Sequence, residues 1–150
     1  MGAVAVPDIC AALGSENGRT SGPKYVAWVK ENLSDHWTYE DRPQLLYEFR
    51  CSLLHQGSLL GRRPTESPRL FFLEPGPQAP NISGSLQIDF PGRPGLMMNL
   101  VEVVTGITSA ARKWKAAVEG TQRYQRNWDR AVHRHAEGLP PYFGGYPVIG

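Results

Sequence analysis

The chain has 150 residues, enough for one domain with a genuine core. Hydrophobic residues make up 41% and charged residues 20%, which excludes wholesale disorder. Lys and Arg outnumber Asp and Glu by only 16 to 14, so any basic surface must come from local clustering rather than from the net charge of +2.

The two cysteines, Cys10 and Cys51, cannot make a disulfide framework or a thiolate metal site. The apolar start, Met1 to Pro7, lacks a basic n-region, so it does not read as a secretory leader. No run approaches the roughly 18 apolar residues of a membrane span. The expectation is a cytoplasmic protein with reduced thiols and no membrane partner.

Taken in chain order, Pro7 to Leu13 reads as a short helix, with Pro at its opening and Gly14 at its end. A polar loop follows to Gly22. Pro23 then opens a second helix, in which Tyr25, Trp28, Val29 and Leu33 form one apolar face. Asp41 and Pro43 open a third helix that Gly57 closes. Leu46, Phe49 and Leu53 share its stripe and Leu54 flanks it. The second and third helices should pack as a hairpin.

From Ser58 to Pro94 the prolines forbid long helices. Leu70–Glu74 and Leu86–Phe90 read as two strands, so a β-hairpin insertion is expected at about residues 66–92. Leu96, Leu100, Val103, Ile107, Ala110, Trp114 and Ala117 then step by four and three, a helical stripe of about six turns. Either Thr121 caps a separate helix, or one long helix runs on to Glu137. Residues 139–150 read as an irregular aromatic tail. Trp114, Val118, Tyr124 and Trp128 offer apolar material for either a core or an interface. The fold class is mainly α, a single domain of residues 1–150.

The third helix carries Arg50 and His55, which lie about 140° apart around it at 3.6 residues per turn. Arg supplies a fixed cation suited to phosphate, and His exchanges a proton near neutral pH. Together they are a minimal set for cleaving RNA without metal: the 2′-hydroxyl loses its proton and attacks the adjacent phosphorus, and the added charge is stabilised. Alternatively, Arg50 pairs with a carboxylate such as Asp8 or Glu48 and fixes helix packing, and His55 answers the helix dipole. Arg123, Arg126, Arg130 and Arg134 form a basic stripe beside Tyr124 and Trp128, a pattern that can track RNA by phosphate pairing and base stacking, or simply face water. No metal-ligand spacing is present, and no cofactor is expected.

Arg50-Cys-Ser-Leu-Leu-His55 resembles the Arg-x4-6-His motif of HEPN domains. Pro7-Asp8-Ile9-Cys10, Lys24-Tyr25-Val26-Ala27-Trp28 and Leu46-Tyr47 add to the likeness, which covers roughly residues 5–60. The resemblance implies a HEPN-like helical bundle that forms homodimers. It also implies a metal-independent endoribonuclease of toxin–antitoxin, phage-defence or stress systems, with RNA as substrate and an antitoxin or other protein as partner. In that reading Arg50 stabilises the phosphate and His55 is the general acid or base. Cys51 stands where active members usually carry a polar residue. The alternative is therefore a non-catalytic HEPN-like module for dimerisation and for binding a partner or RNA.

Overall fold

The computed structural model describes residues 2–33, 42–57, 68–77, 85–90 and 93–150. A 3-10 turn at Gly2–Ala5 leads into α1 (Val6–Leu13), with Pro7 in the first turn, where its missing N–H costs nothing. α2 (Gly22–Leu33) buries Tyr25, Trp28, Val29 and Leu33, the face its spacing predicts. α3 (Arg42–Gln56) buries Leu46 and Phe49 and leaves Leu54 exposed. Gly57 follows it at φ +61°, a left-handed conformation that an L side chain resists. Asp41, expected to open α3, lies outside the described residues.

The insertion differs from the expected hairpin. β1 (Arg69–Leu73) and β2 (Ser85–Phe90) are not neighbours, because β3 (Arg93–Asn99) lies between them, parallel to β1 and antiparallel to β2. Leu96 therefore belongs to a strand, and the helix that its spacing seemed to begin starts only at Leu100. Its four-residue step to Leu100 mimics a helical period, but Pro94 and Gly95 just before it favour extended backbone. Asn99 ends the strand and caps α4 (Leu100–Val118), accepting from the Val101 and Glu102 amides at 3.0 and 3.3 Å.

The sheet register sorts its side chains. Leu70, Leu96 and Met98 share the face that joins the helical core, and Phe72 on the same face meets Phe49 of α3, ring centroids 4.9 Å apart. Phe71 and Leu86, aligned with Met97, lie on the opposite face and are exposed. The Phe71 ring covers Gly95, where a Cβ would lie 2.9 Å from Phe71 Cε2.

α4 buries Val103, Ile107 and Ala110, as the stripe predicts, and ends before α5 (Gln122–Trp128). Thr121 caps α5 by accepting from the Tyr124 amide at 3.3 Å, so the single helix through to Glu137 does not form. Residues 139–150, expected to be an irregular tail, take part in short strand pairings. β4 (Arg134–His135) pairs with β7 (Val148–Ile149), and β5 (Gly138–Leu139) pairs with β6 (Phe143–Gly144). The architecture is mainly α with a small mixed sheet.

Candidate functional site

Arg50 sits mid-way along α3 with its side chain only 20% exposed. Its Nε forms an ion pair with Asp8 Oδ2 in the first turn of α1, where a carboxylate also complements the helix dipole. The other Asp8 oxygen accepts from Thr20 Oγ1 at 3.3 Å. Arg50 Nη1 lies 3.8 Å from Cys51 Sγ. Burial works against the Arg50 charge, but Cys51 and Asp8 outweigh it and hold the guanidinium as a cation.

Two tyrosines complete this environment. Tyr25 is fully buried and donates its hydroxyl to the Val4 carbonyl at 2.9 Å. Burial, helped by the nearby Asp8 charge, pushes its phenol upward, so it stays neutral. The Tyr47 ring packs 5.4 Å from that of Tyr25. The Tyr47 phenol is also raised, chiefly by its contact with the Cys51 thiol and then by burial. α1, α2 and α3 are thus knit together around one ion pair.

His55 stands on the last turn of α3, exposed, with no hydrogen bond or ion pair among the described residues. Arg50 points inward to Asp8 while His55 meets solvent, the outcome of their angular separation on the helix. The two share no partner among the described residues.

The four arginines are not one helical stripe. Arg123 and Arg126 lie on α5, but Arg130 follows the helix end and Arg134 is in β4. Trp128 closes the last turn and Asp129 caps it, so the 3.6-residue register on which the stripe depended ends there. Arg123 pairs with the Glu16 carboxylate, and Arg126 Nη2 donates to the Glu16 carbonyl at 2.6 Å. Arg130 and Arg134 are exposed and have no ion pair among the described residues. In the same C-terminal segment Trp128, Tyr142 and Tyr146 expose 40%, 76% and 77% of their surface.

An aromatic ladder runs from the core to this segment. Trp28, Trp114, Tyr124, Trp128 and His133 follow one another with centroid spacings of 6.2, 5.9, 5.7 and 5.0 Å. His133 Nε2 donates to the Trp128 carbonyl at 2.6 Å. His133 and Gly150 also exchange both backbone hydrogen bonds, at 2.8 and 3.0 Å.

Asn127 is a structural residue that the sequence does not single out. It is 4% exposed, and its Nδ2 donates to the Leu13 and Ser15 carbonyls at 2.9 and 2.7 Å. It thereby ties α5 to the free carbonyls at the end of α1. Its place three residues after Tyr124, on the buried face of α5, was the available signal.

Both cysteines are buried and unpaired. Burial pushes the Cys10 thiol up to about 12, which makes it a poor nucleophile. Among the described residues no three of His, Cys, Asp and Glu gather as metal ligands, and no helix is long and apolar enough to cross a membrane. The chain matches no family model, no curated protein and no solved structure.

Proposed function

We propose that the chain is a HEPN-like helical module that binds single-stranded RNA without cleaving it, with Arg50 as the ion that joins its helices. The observation that carries the non-catalytic part is the Arg50–Asp8 pair: the cation meant for a phosphate is already matched by a carboxylate in the interior. The RNA surface is the segment from Trp128 to Tyr146. There Arg130 and Arg134, with no ion pair among the described residues, supply cations for phosphates, and Trp128, Tyr142 and Tyr146 supply exposed rings for base stacking. Arg123 and Arg126 serve the fold through Glu16 and contribute less.

The test is fluorescence anisotropy with a labelled RNA oligomer across a salt series. Each phosphate contact contributes about 0.7 to the slope of log affinity against log salt for a single strand. Arg130→Ala/Arg134→Ala should therefore flatten the slope by about 1.4. An unchanged slope removes this surface from the proposal.

His55, exposed and without a partner among the described residues, favours a second reading, a metal-independent endoribonuclease of toxin or defence type. A homodimer would bring His55 of each copy to a shared cleft, one as base and one as acid, while the Nη edge of Arg50 faced the phosphate. RNA cleavage in EDTA that leaves a 2′,3′-cyclic phosphate, and that His55→Ala abolishes, would establish this reading over the first.

A further inference from the structure

The three-stranded sheet is apolar on both of its faces. A strand buried on both faces reads as an unbroken apolar run, whereas a strand with one wet face alternates. β1 reads Leu70-Phe71-Phe72-Leu73, and its parallel neighbour β3 reads Leu96-Met97-Met98. β2 does alternate, but its register aligns Leu86 with Met97 and Ile88 with Gly95, so its apolar residues turn away from the helical core. A slip of one residue would turn them inward. The register that forms instead carries an apolar row, Phe71–Met97–Leu86, across all three strands of the outer face. Phe71 and Leu86 are left 42% and 48% exposed. This is the pattern of a sheet that is covered on its second face as well.

The row is preformed. Phe71 folds its ring over Gly95 of the neighbouring strand, so closely that a Cβ there would lie 2.9 Å from Phe71 Cε2. Charge stands at the two ends of β1, with Arg69 at its start and Glu74 just past its end, both exposed. They are about 17 Å apart along an extended strand, too far to pair with each other. Neither has an ion pair among the described residues.

We infer that a second copy of the chain packs on this face, sheet against sheet, about a two-fold axis running along the Phe71–Met97–Leu86 row. Such an axis lays β1 over the partner's β1 in the opposite direction, so Arg69 of each copy meets the Glu74 end of the other. The apolar row is then sealed at both ends by opposite charges. A strand with one cation and one anion at its ends is complementary to itself reversed, which selects a second copy over an unrelated partner. Three strands about 4.8 Å apart make a face of roughly 300 Å² in projection, against about 800 Å² of accessible surface per partner in a standard interface. The pair is therefore a weak one, forming at about tens of micromolar. It uses none of the residues assigned to RNA above, and neither proposal depends on the other.

Sedimentation equilibrium of the full chain from about 1 to 200 µM reads the association. The average mass should rise from one chain toward two across that range. Leu86→Asp puts a charge in the apolar row and should abolish the rise. Arg69→Glu and Glu74→Lys each set like charges against one another and should weaken association about tenfold. Arg69→Glu/Glu74→Lys restores the pairing with its signs reversed and should return to within about twofold of wild type. Melts of the variants at about 1 µM, where the chain is single, should stay within about 3 °C of wild type, since all three residues are exposed. A wild-type chain that stays single at the highest concentration, a dimer indifferent to Leu86→Asp, or a double variant no tighter than its single parents would each overturn the proposal.

Discussion

Replacing Arg50 by Ala tests most directly whether this residue serves the fold or the chemistry. The substitution leaves the Asp8 carboxylate, itself 8% exposed, in the interior with Thr20 as its remaining partner among the described residues. Breaking one side of a buried ion pair costs about 3–5 kcal/mol. The Arg50 side chain retains 20% exposure and that of Asp8 11%, so water screens the site slightly and about 3 kcal/mol is the expected loss. For a chain of this length each kcal/mol moves the melting temperature by about 2–4 °C, so Arg50→Ala should melt about 6–12 °C lower. Arg50→Lys keeps the charge but not the planar fork, and should fall between the variant and the wild type. Asp8→Asn/Arg50→Met removes both charges and should recover part of the loss, giving a coupling energy that a double-mutant cycle isolates. Circular dichroism melts at neutral pH measure these proteins together with the single variants Asp8→Asn and Arg50→Met that complete the cycle. An Arg50→Ala protein that melts within about 2 °C of wild type would refute the structural role. Lost RNA cleavage with that unchanged melt would assign Arg50 to catalysis instead.

Further outcomes follow from the same geometry. Asn127→Ala leaves the Leu13 and Ser15 carbonyls without their donor and should cost about 2–3 kcal/mol, read from a denaturant midpoint. Tyr25→Phe removes the buried hydrogen bond to Val4 and should cost about 1 kcal/mol in the same assay. The Cys10 thiol bears on alkaline stability. Its folded pKa is raised to about 12 from an ordinary 9.0, so its contribution is complete below pH 9 and disappears as pH rises toward 12. Stability should therefore fall above pH 9 by up to about 1.4 kcal/mol per pH unit from this group, and Cys10→Ala should flatten that fall. A wild-type and Cys10→Ala pair with parallel melts from pH 8 to 11 would exclude it.

The helices were legible where a periodic apolar face coincided with a stop or start signal. Tyr25, Trp28, Val29 and Leu33 marked one face of α2, and Thr121 marked the opening of α5. The sheet was legible only as strand material. Alternation in Leu86 to Phe90 shows that one face is apolar, but not which neighbour the strand takes or which way that face turns. In the structure β3 enters between the two expected partners, and its register places Leu86 on the outer face. Leu96 is ambiguous in the sequence because strand and helix periods both tolerate its spacing to Leu100, and only the pairing of β3 with two strands decides between them.

The candidate site divides in the same way. The chain alone determines that Arg50 and His55 share a helix and lie on different sides of it, since helical geometry is local. It also determines which residues carry charge and which carry rings. Which carboxylate meets Arg50 was decided by the packing of α1 against the α2–α3 pair, a contact between residues 42 positions apart. The same holds for Arg123 with Glu16, and for Trp28 with Trp114. The near-neutral composition met at the outset says nothing of these pairings. Ion pairs and pockets depend on distances of a few ångströms between elements remote in sequence, and only the folded chain sets those distances.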